Sequence, residues 1–116
     1  MYINLLIYFK MKVSDFITSF LISKKIKYVY AVTGGASLHL IHSAMNNKKL
    51  NVIFPIHEQT CAMAADAYSR VSHNVGAAFA TSGPGATNLA TGICGAYFDS
   101  VPVMYITGQV STNRSK

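Results

Sequence analysis

Glu58 is the single glutamate of the chain, and it stands in Pro55-Ile56-His57-Glu58-Gln59, where an apolar run passes into a helix-forming one. A carboxylate at that place has two readings. In the first turn of a helix it complements the positive end of the helix dipole, worth ~0.3–1 kcal/mol. Enclosed by its apolar flanks, it is desolvated, its pKa is pushed up and it needs a partner, which is the condition of many carboxylates that move protons. The residue types alone leave both readings open. His57 is its neighbour, but adjacency does not make a dyad.

Two glycine-bearing segments lie on either side of Glu58 in the sequence, Thr33-Gly34-Gly35-Ala36 and Ser82-Gly83-Pro84-Gly85. Each reads either as an anion cradle at a helix N-terminus or as a tight turn that needs glycine for its backbone angles. Neither is a P-loop, which requires Gly-Lys-Ser/Thr, nor a full dinucleotide fingerprint. The stretch after the second turn carries Gly85, Ala86, Ala90, Gly92, Gly95 and Ala96. Interior glycines each cost about 1 kcal/mol relative to alanine in a helix, so this small-residue side implies close approach of the chain's own sheet, a ligand or another subunit. His39 and His42, three apart, lack a third metal ligand nearby, and no serine or cysteine sits in a nucleophile elbow.

The elements that must hold these residues alternate. Val13, Phe16, Ile17, Phe20 and Leu21 recur at helical spacing, with Ser14 or a residue near it as the expected N-cap. Residues 28–32 read as a buried strand, and Leu38, Ile41 and Met45 mark one helix face that fades at Asn46 and Asn47. Residues 52–56 form the next expected strand, ended by Pro55. A helix from about Glu58 to Val71, a strand over 75–81, a helix from the Ser82–Gly85 turn to about Ser100 and a strand over 101–107 complete the series. This order predicts an α/β fold, a parallel sheet with helices on both faces. Such sheets bind ligands outside the carboxyl ends of their strands. Thr33–Ala36, His57–Gln59 and Ser82–Gly85 all fall at those ends.

The bulk properties set limits. The 116 residues suit one domain, and 51% hydrophobic content with 12% charged residues is globular rather than disordered. The net charge of +6 comes from ten Lys and Arg against four acids, Asp15, Glu58, Asp66 and Asp99. The bases form no stripe with interleaved aromatics, which argues against nucleic acid. Lys24, Lys25, Lys27, Lys48 and Lys49 instead follow predicted helices, where cations complement the dipole. Cys61 and Cys94 lack metal spacing or a disulfide framework, and a reducing cytoplasm fits. The opening run MYINLLIYFK is too short to span a bilayer and a poor signal peptide. Residues 1–10 are therefore expected to be a spurious extension before an initiator at Met11, or an extra edge strand.

Three pieces, VYAVTGGASLHLI, PIHEQTCAMAADAYSRV and TSGPGATNLATGICGAYFDSVPVMYITGQV, resemble in order and spacing the thiamine-diphosphate enzymes of the acetolactate synthase and pyruvate oxidase type. The likeness covers nearly everything from Met11 to Val110. It implies that residues 11–116 are the N-terminal, Rossmann-like pyrimidine-binding domain, truncated at its C-terminal end. Glu58 matches the glutamate that hydrogen-bonds the aminopyrimidine ring. Sharing a proton there favours the imino tautomer of the cofactor, which then takes the proton from the thiazolium carbon. Thr33, Gly34, Gly35 and Ala36 match a loop lining that pocket, and Pro84 and Asn88 match positions near the ring.

The resemblance also implies what the 116 residues lack. The family holds magnesium and the cofactor's diphosphate through a Gly-Asp-Gly motif in a second domain, and no Gly-Asp-Gly occurs here. Some members hold FAD in a middle domain, so FAD is a candidate cofactor of the full-length enzyme. The active site forms between subunits, so a homodimer, a homotetramer or a separate C-terminal half is the expected partner, with no nucleic acid and no membrane. The expected activity is decarboxylation and carboligation of 2-keto acids by the complete enzyme, the chain alone being inactive. A 2-keto acid decarboxylase and a non-catalytic partner-binding relative are the alternatives. Many synthases read Tyr-Pro-Gly-Gly where this chain has Val32-Thr33-Gly34-Gly35, which leaves the substrate open.

Overall fold

A computed structural model of the chain describes residues 11–114. The expectation for residues 1–10 lies outside the described residues. Helix α1 spans Val13–Ser23, strand β1 Tyr28–Ala31, helix α2 Leu38–Met45 and strand β2 Asn51–Ile53. Helix α3 spans Glu58–Ser72, strand β3 Gly76–Ala80, the short helix α4 Pro84–Thr87, helix α5 Ala90–Phe98 and strand β4 Val103–Thr107. The strands form one sheet in the order β2-β1-β3-β4, with each neighbouring pair parallel.

Strand alternation explains the two-sided packing. Val29 and Ala31 of β1 and Ala77 and Phe79 of β3 pack with Leu21, Ile41 and Ala44, from α1 and α2. The intervening Ala78 and Ala80 pack on the other face with Cys61, Ala62, Ala65 and Leu89, and Tyr30, Val103 and Tyr105 join them. Successive side chains of a strand point to opposite faces, so a central strand covered on both sides is apolar throughout. All five residues of β3 are buried. Its glycine is required by proximity: a Cβ on Gly76 would lie 2.1 Å from the carbonyl oxygen of Ala65. Helix α5 approaches α3 in the same way, because a Cβ on Gly92 would lie 2.3 Å from Ala62 Cβ. Part of the small-residue side is thus internal packing, whereas Gly95 faces open space.

Helix α1 ends in a Schellman motif. Lys25 takes φ 62°, Ile26 N–H bonds the Leu21 carbonyl at 3.1 Å and Lys25 N–H bonds that of Ile22 at 2.9 Å. Leu21 and Ile26 are both buried in the same cluster, the apolar contact that usually accompanies this cap.

Several local expectations are corrected. Ser14 is not the N-cap of α1. That position is Lys12, with no side-chain cap bond, and the Ser14 hydroxyl instead lies 2.8 Å from Ser43 Oγ on α2. Ser43 donates to Asp15 Oδ1 at 2.6 Å, so the serine ties two helices together. Strand β2 stops at Ile53, two residues before Pro55, and the strand ends are shorter than the apolar runs. The buried positions of α2 include Leu40, Ile41 and Ala44, while Leu38 and Met45 are 59% and 60% exposed. The expected single helix after the Ser82–Gly85 turn is two, α4 and α5, divided at Asn88 and Leu89. Leu89 N–H bonds Ala86 at i−3 there, a tighter step than the α-helical one.

Candidate functional site

In the order β2-β1-β3-β4 the chain leaves β1 toward one edge and β3 toward the other. The loops after these two adjacent strands diverge, and a crevice opens between them at their carboxyl ends. Thr33-Gly34-Gly35-Ala36 is the first loop and Thr81-Ser82-Gly83 the second. Glu58, after β2, begins the helix that covers one face of β1 and β3.

Glu58 is 9% exposed. Its position is set by the N-terminus of α3, where His57 is the N-cap and its Nδ1 accepts from Gln59 N–H at 3.1 Å. His57 therefore serves the helix and does not pair with Glu58. Asn88 Nδ2 donates to Glu58 Oε2 at 3.0 Å. Among the described residues no donor bonds Oε1. A Cβ on Gly85 would come within 3.1 Å of that oxygen, so glycine keeps its surroundings clear. Pro84 is at the first position of α4, where its missing N–H is harmless. It is exposed, and its carbonyl accepts from Asn88 N–H at 2.9 Å, so it starts the turn that delivers Asn88. Gly83, at φ 66° and ψ −128°, adopts a backbone conformation that side chains disfavour.

The two loops are joined by Thr81, which the sequence reading did not single out. Its Oγ1 accepts from Ala36 N–H at 3.2 Å. A Cβ on Gly34 would lie 2.4 Å from Thr81 Cβ, and one on Gly85 would lie 2.8 Å from Thr81 Cγ2. Two glycines thus make room for one threonine. Gly34 is needed for this contact and not for its torsion, since its φ of −173° is ordinary extended backbone. Gly35 faces open space, and Thr33 is exposed. Gly34, Ala36, Thr81, Gly85, Asn88 and Glu58 form one connected set, with Pro84, Gly35 and Thr33 at its margin. The only sequence signal for Thr81 was its place between a strand and a glycine turn.

The Cys61 thiol, one turn into α3, is pushed up to about 11, first by burial and then by the negative charge of Glu58. It stays protonated at neutral pH. Beyond Thr81 a cavity of about 610 Å³ is bounded by Gly35, Ala36 and His39 after β1, Thr81 and Ser82 after β3, and Gln109, Val110, Ser111 and Arg114 after β4. A cleft of about 490 Å³ adjoins it, sharing Ala36 and His39 and reaching Lys12. Among the described residues no group of three or more His, Cys, Asp or Glu is arranged to hold a metal ion. His42 instead contacts Asn46.

A buried carboxylate with one oxygen fixed by an amide and the other clear beside a glycine can exchange a proton with a flat heterocycle. The donor set therefore suits the aminopyrimidine of thiamine diphosphate.

The comparisons identify the family. The model of a family described as thiamine pyrophosphate enzyme, N-terminal TPP binding domain, matches residues 11–116. The acetolactate synthase large subunit of Cyanidium caldarium is 48% identical over 94 residues, which is 78% of this chain and 16% of that protein. The probable acetolactate synthase large subunit of Methanocaldococcus jannaschii is 44% identical over 102 residues, 88% of this chain and 17% of the relative. The chloroplastic acetolactate synthase of Arabidopsis thaliana is 40% identical over 99 residues, 85% and 15% respectively. The chain thus matches about a sixth of the length of these relatives.

Proposed function

The chain belongs to the thiamine pyrophosphate enzyme family, as an N-terminal TPP-binding domain, and from that premise we propose that Glu58 is the proton-exchanging group toward the cofactor's pyrimidine. The observation that carries this reading is the asymmetry of its carboxylate, with Oε2 held by Asn88 and Oε1 facing the space that Gly85 leaves. Asn88 orients the group, so that Oε1 takes or gives the proton. Gly34, Gly35 and Ala36 form the opposite wall, with Thr33 and Pro84 at the rim. Thr81 fixes the spacing between the walls. Burial excludes water from the carboxylate and strengthens its hydrogen bonds.

When bound, thiamine diphosphate supplies an electron sink for breaking a carbon–carbon bond next to a carbonyl. The complete enzyme is proposed to act on 2-keto acids by decarboxylation and carboligation, as the names of the relatives favour. Simple 2-keto acid decarboxylation is the second reading, since the departure at Val32-Thr33 from Tyr-Pro leaves the substrate open. Magnesium and the diphosphate are assigned to a second domain, and FAD remains a candidate cofactor of the full-length enzyme. A homo-oligomer or a separate second half completes the site. The exposed side of α5, with Ile93 at 39%, Tyr97 at 79% and Phe98 at 80% exposure, supports such an assembly. No helix among the described residues is long and apolar enough to cross a membrane. The free thiols of Cys61 and Cys94 support a reducing compartment such as the cytoplasm.

The test is amide NMR of the chain titrated with thiamine, which presents the pyrimidine without the diphosphate. Shifts are expected at Gly34, Gly85 and Asn88. Shifts confined to other surfaces would dismiss the assignment.

A further inference from the structure

We propose that residues 3–9 add to the open edge of β4 as a fifth, parallel strand of the sheet. β4 is the last strand in the order β2-β1-β3-β4. On its inner side the Pro102 carbonyl accepts from Gly76 N–H at 3.1 Å, and Gly108 N–H donates to the Ala80 carbonyl at 2.9 Å. In extended backbone the N–H and C=O of one residue point to the same side, and those of the next point away. Met104 and Ile106 therefore face β3, while Val103, Tyr105 and Thr107 turn their backbone groups outward. Among the described residues no strand pairs with that outer side. The strand is Val-Met-Tyr-Ile-Thr, without charge or proline, so it lacks the usual devices that close an exposed edge. The opposite edge has them, because β2 is only three residues long and Pro55 follows it.

Handedness, reach and pattern together select the occupant. Helices α1 and α2 pack on one face of the sheet and α3 on the other. The crossover from β1 through α2 to β2 runs toward the β2 edge. Parallel crossovers are right-handed, so one that enters β1 through α1, on the same face, must run in the same direction. A parallel strand before α1 therefore lies on the β4 side of β1. β3 and β4 already fill that side, and the free place is beyond β4. Lys12, which leads into α1, has extended backbone at φ −66° and ψ 148°. It borders one cleft with Ile106, Thr107 and Gly108, at the carboxyl end of β4. A chain that arrives there along β4 runs parallel to it. Ten extended residues span about 33 Å and five about 17 Å, so residues 1–10 are long enough to follow the whole strand. Their sequence alternates as a strand does: Ile3, Leu5, Ile7 and Phe9 form one wholly apolar side, and Tyr2, Asn4, Leu6 and Tyr8 the other. The apolar side suits the layer that Met104 and Ile106 begin on the α1 face. This edge pairing is independent of the cofactor assignment.

The experiment is NMR of the 116-residue chain, combining amide hydrogen exchange with short-range contacts between backbone protons. The Val103, Tyr105 and Thr107 amides are expected to be protected, with contacts to residues 3–9 in parallel register. The variant carrying both Leu5→Pro and Leu6→Pro removes two successive N–H groups, one of which faces β4 in either register. In it the three outward amides are expected to lose protection, while Met104 and Ile106 keep theirs through β3 and show that the sheet is intact. Free exchange of the three outward amides in the wild type would overturn the proposal, as would unchanged protection in the double variant. Contacts from residues 3–9 to Asn51–Ile53 would refute the handedness argument, and contacts to Phe16 and Phe20 would place the segment on α1 instead. Protection that grows with protein concentration would assign the edge to a second copy of the chain and overturn the proposal.

Discussion

Gly85 has two neighbours that a methyl group would meet, and they can be separated by mutation. A Cβ there would lie 2.8 Å from Thr81 Cγ2, 3.1 Å from Glu58 Oε1 and 3.7 Å from Thr81 Cβ. Gly85→Ala should destabilise the fold by overpacking, typically 1–3 kcal/mol, offset by up to about 1 kcal/mol from the better helix propensity of alanine. A net loss of roughly 1–2 kcal/mol follows. Thr81→Ser removes Cγ2 while keeping the hydroxyl that accepts from Ala36, and costs about 0.8 kcal/mol for one methyl group. In that background the added methyl meets residue 81 only at the serine Cβ, at ordinary contact distance, and its remaining close neighbour is the carboxylate oxygen Glu58 Oε1. Gly85→Ala should then be nearly neutral, a coupling of at least ~1 kcal/mol in the double-mutant cycle. Urea unfolding followed by circular dichroism reads these differences, provided the slope with denaturant is the same in all four proteins. The contact with Glu58 Oε1 persists in the double variant, so thiamine-induced shifts should stay weak although stability is regained. Additive effects within about 0.3 kcal/mol would refute the packing argument, and normal thiamine shifts in the double variant would refute the role of Gly85 beside Oε1.

Lys25→Gly should raise stability by about 1 kcal/mol, because the φ of 62° penalises a side chain that glycine lacks; an unchanged urea midpoint would contradict this. Cys61 should resist alkylation at pH 8 while exposed Cys94 reacts, since burial and Glu58 hold the Cys61 thiol at about 11; mass spectrometry should find one adduct. By the same shift, stability should fall as pH rises from about 9 toward about 11. The unfolded thiol ionises first and draws the equilibrium toward unfolding, and Cys61→Ala should flatten that decline. Calorimetry of the chain with thiamine diphosphate and magnesium should give no micromolar affinity, because the proposed diphosphate-binding residues are not among its own.

The alternation of helix and strand patterns carried the fold, because β1 and β3 are apolar at consecutive positions as strands buried on both faces must be. The glycine segments and Glu58 pointed to the carboxyl ends for the same topological reason. What remained hidden depended on contacts between distant residues. Thr81 is unremarkable by type, and only three-dimensional packing shows why Gly34 and Gly85 are small. Leu38 and Met45 fit a helical period yet face outward, since the buried stripe of α2 is set by where α1 lies. Asn88 could be matched through the resemblance, but the break between α4 and α5 that presents it to Glu58 was invisible in a continuous helix-like pattern.

The central claim is that Glu58 moves a proton, and hydrogen–deuterium exchange at the thiazolium carbon of bound thiamine diphosphate tests it most directly. The measurement uses NMR on the chain assembled with its complementary half or as part of the complete enzyme. Glu58→Gln keeps an oxygen that can accept from Asn88 but removes the exchangeable proton. Exchange should slow 10²–10⁴-fold, about 3–5 kcal/mol of barrier, with the cofactor still bound. If Glu58 only complements its helix, the substitution should cost at most about 1 kcal/mol of stability and leave exchange unchanged. Near-wild-type exchange in a folded, cofactor-loaded Glu58→Gln protein would contradict the catalytic assignment.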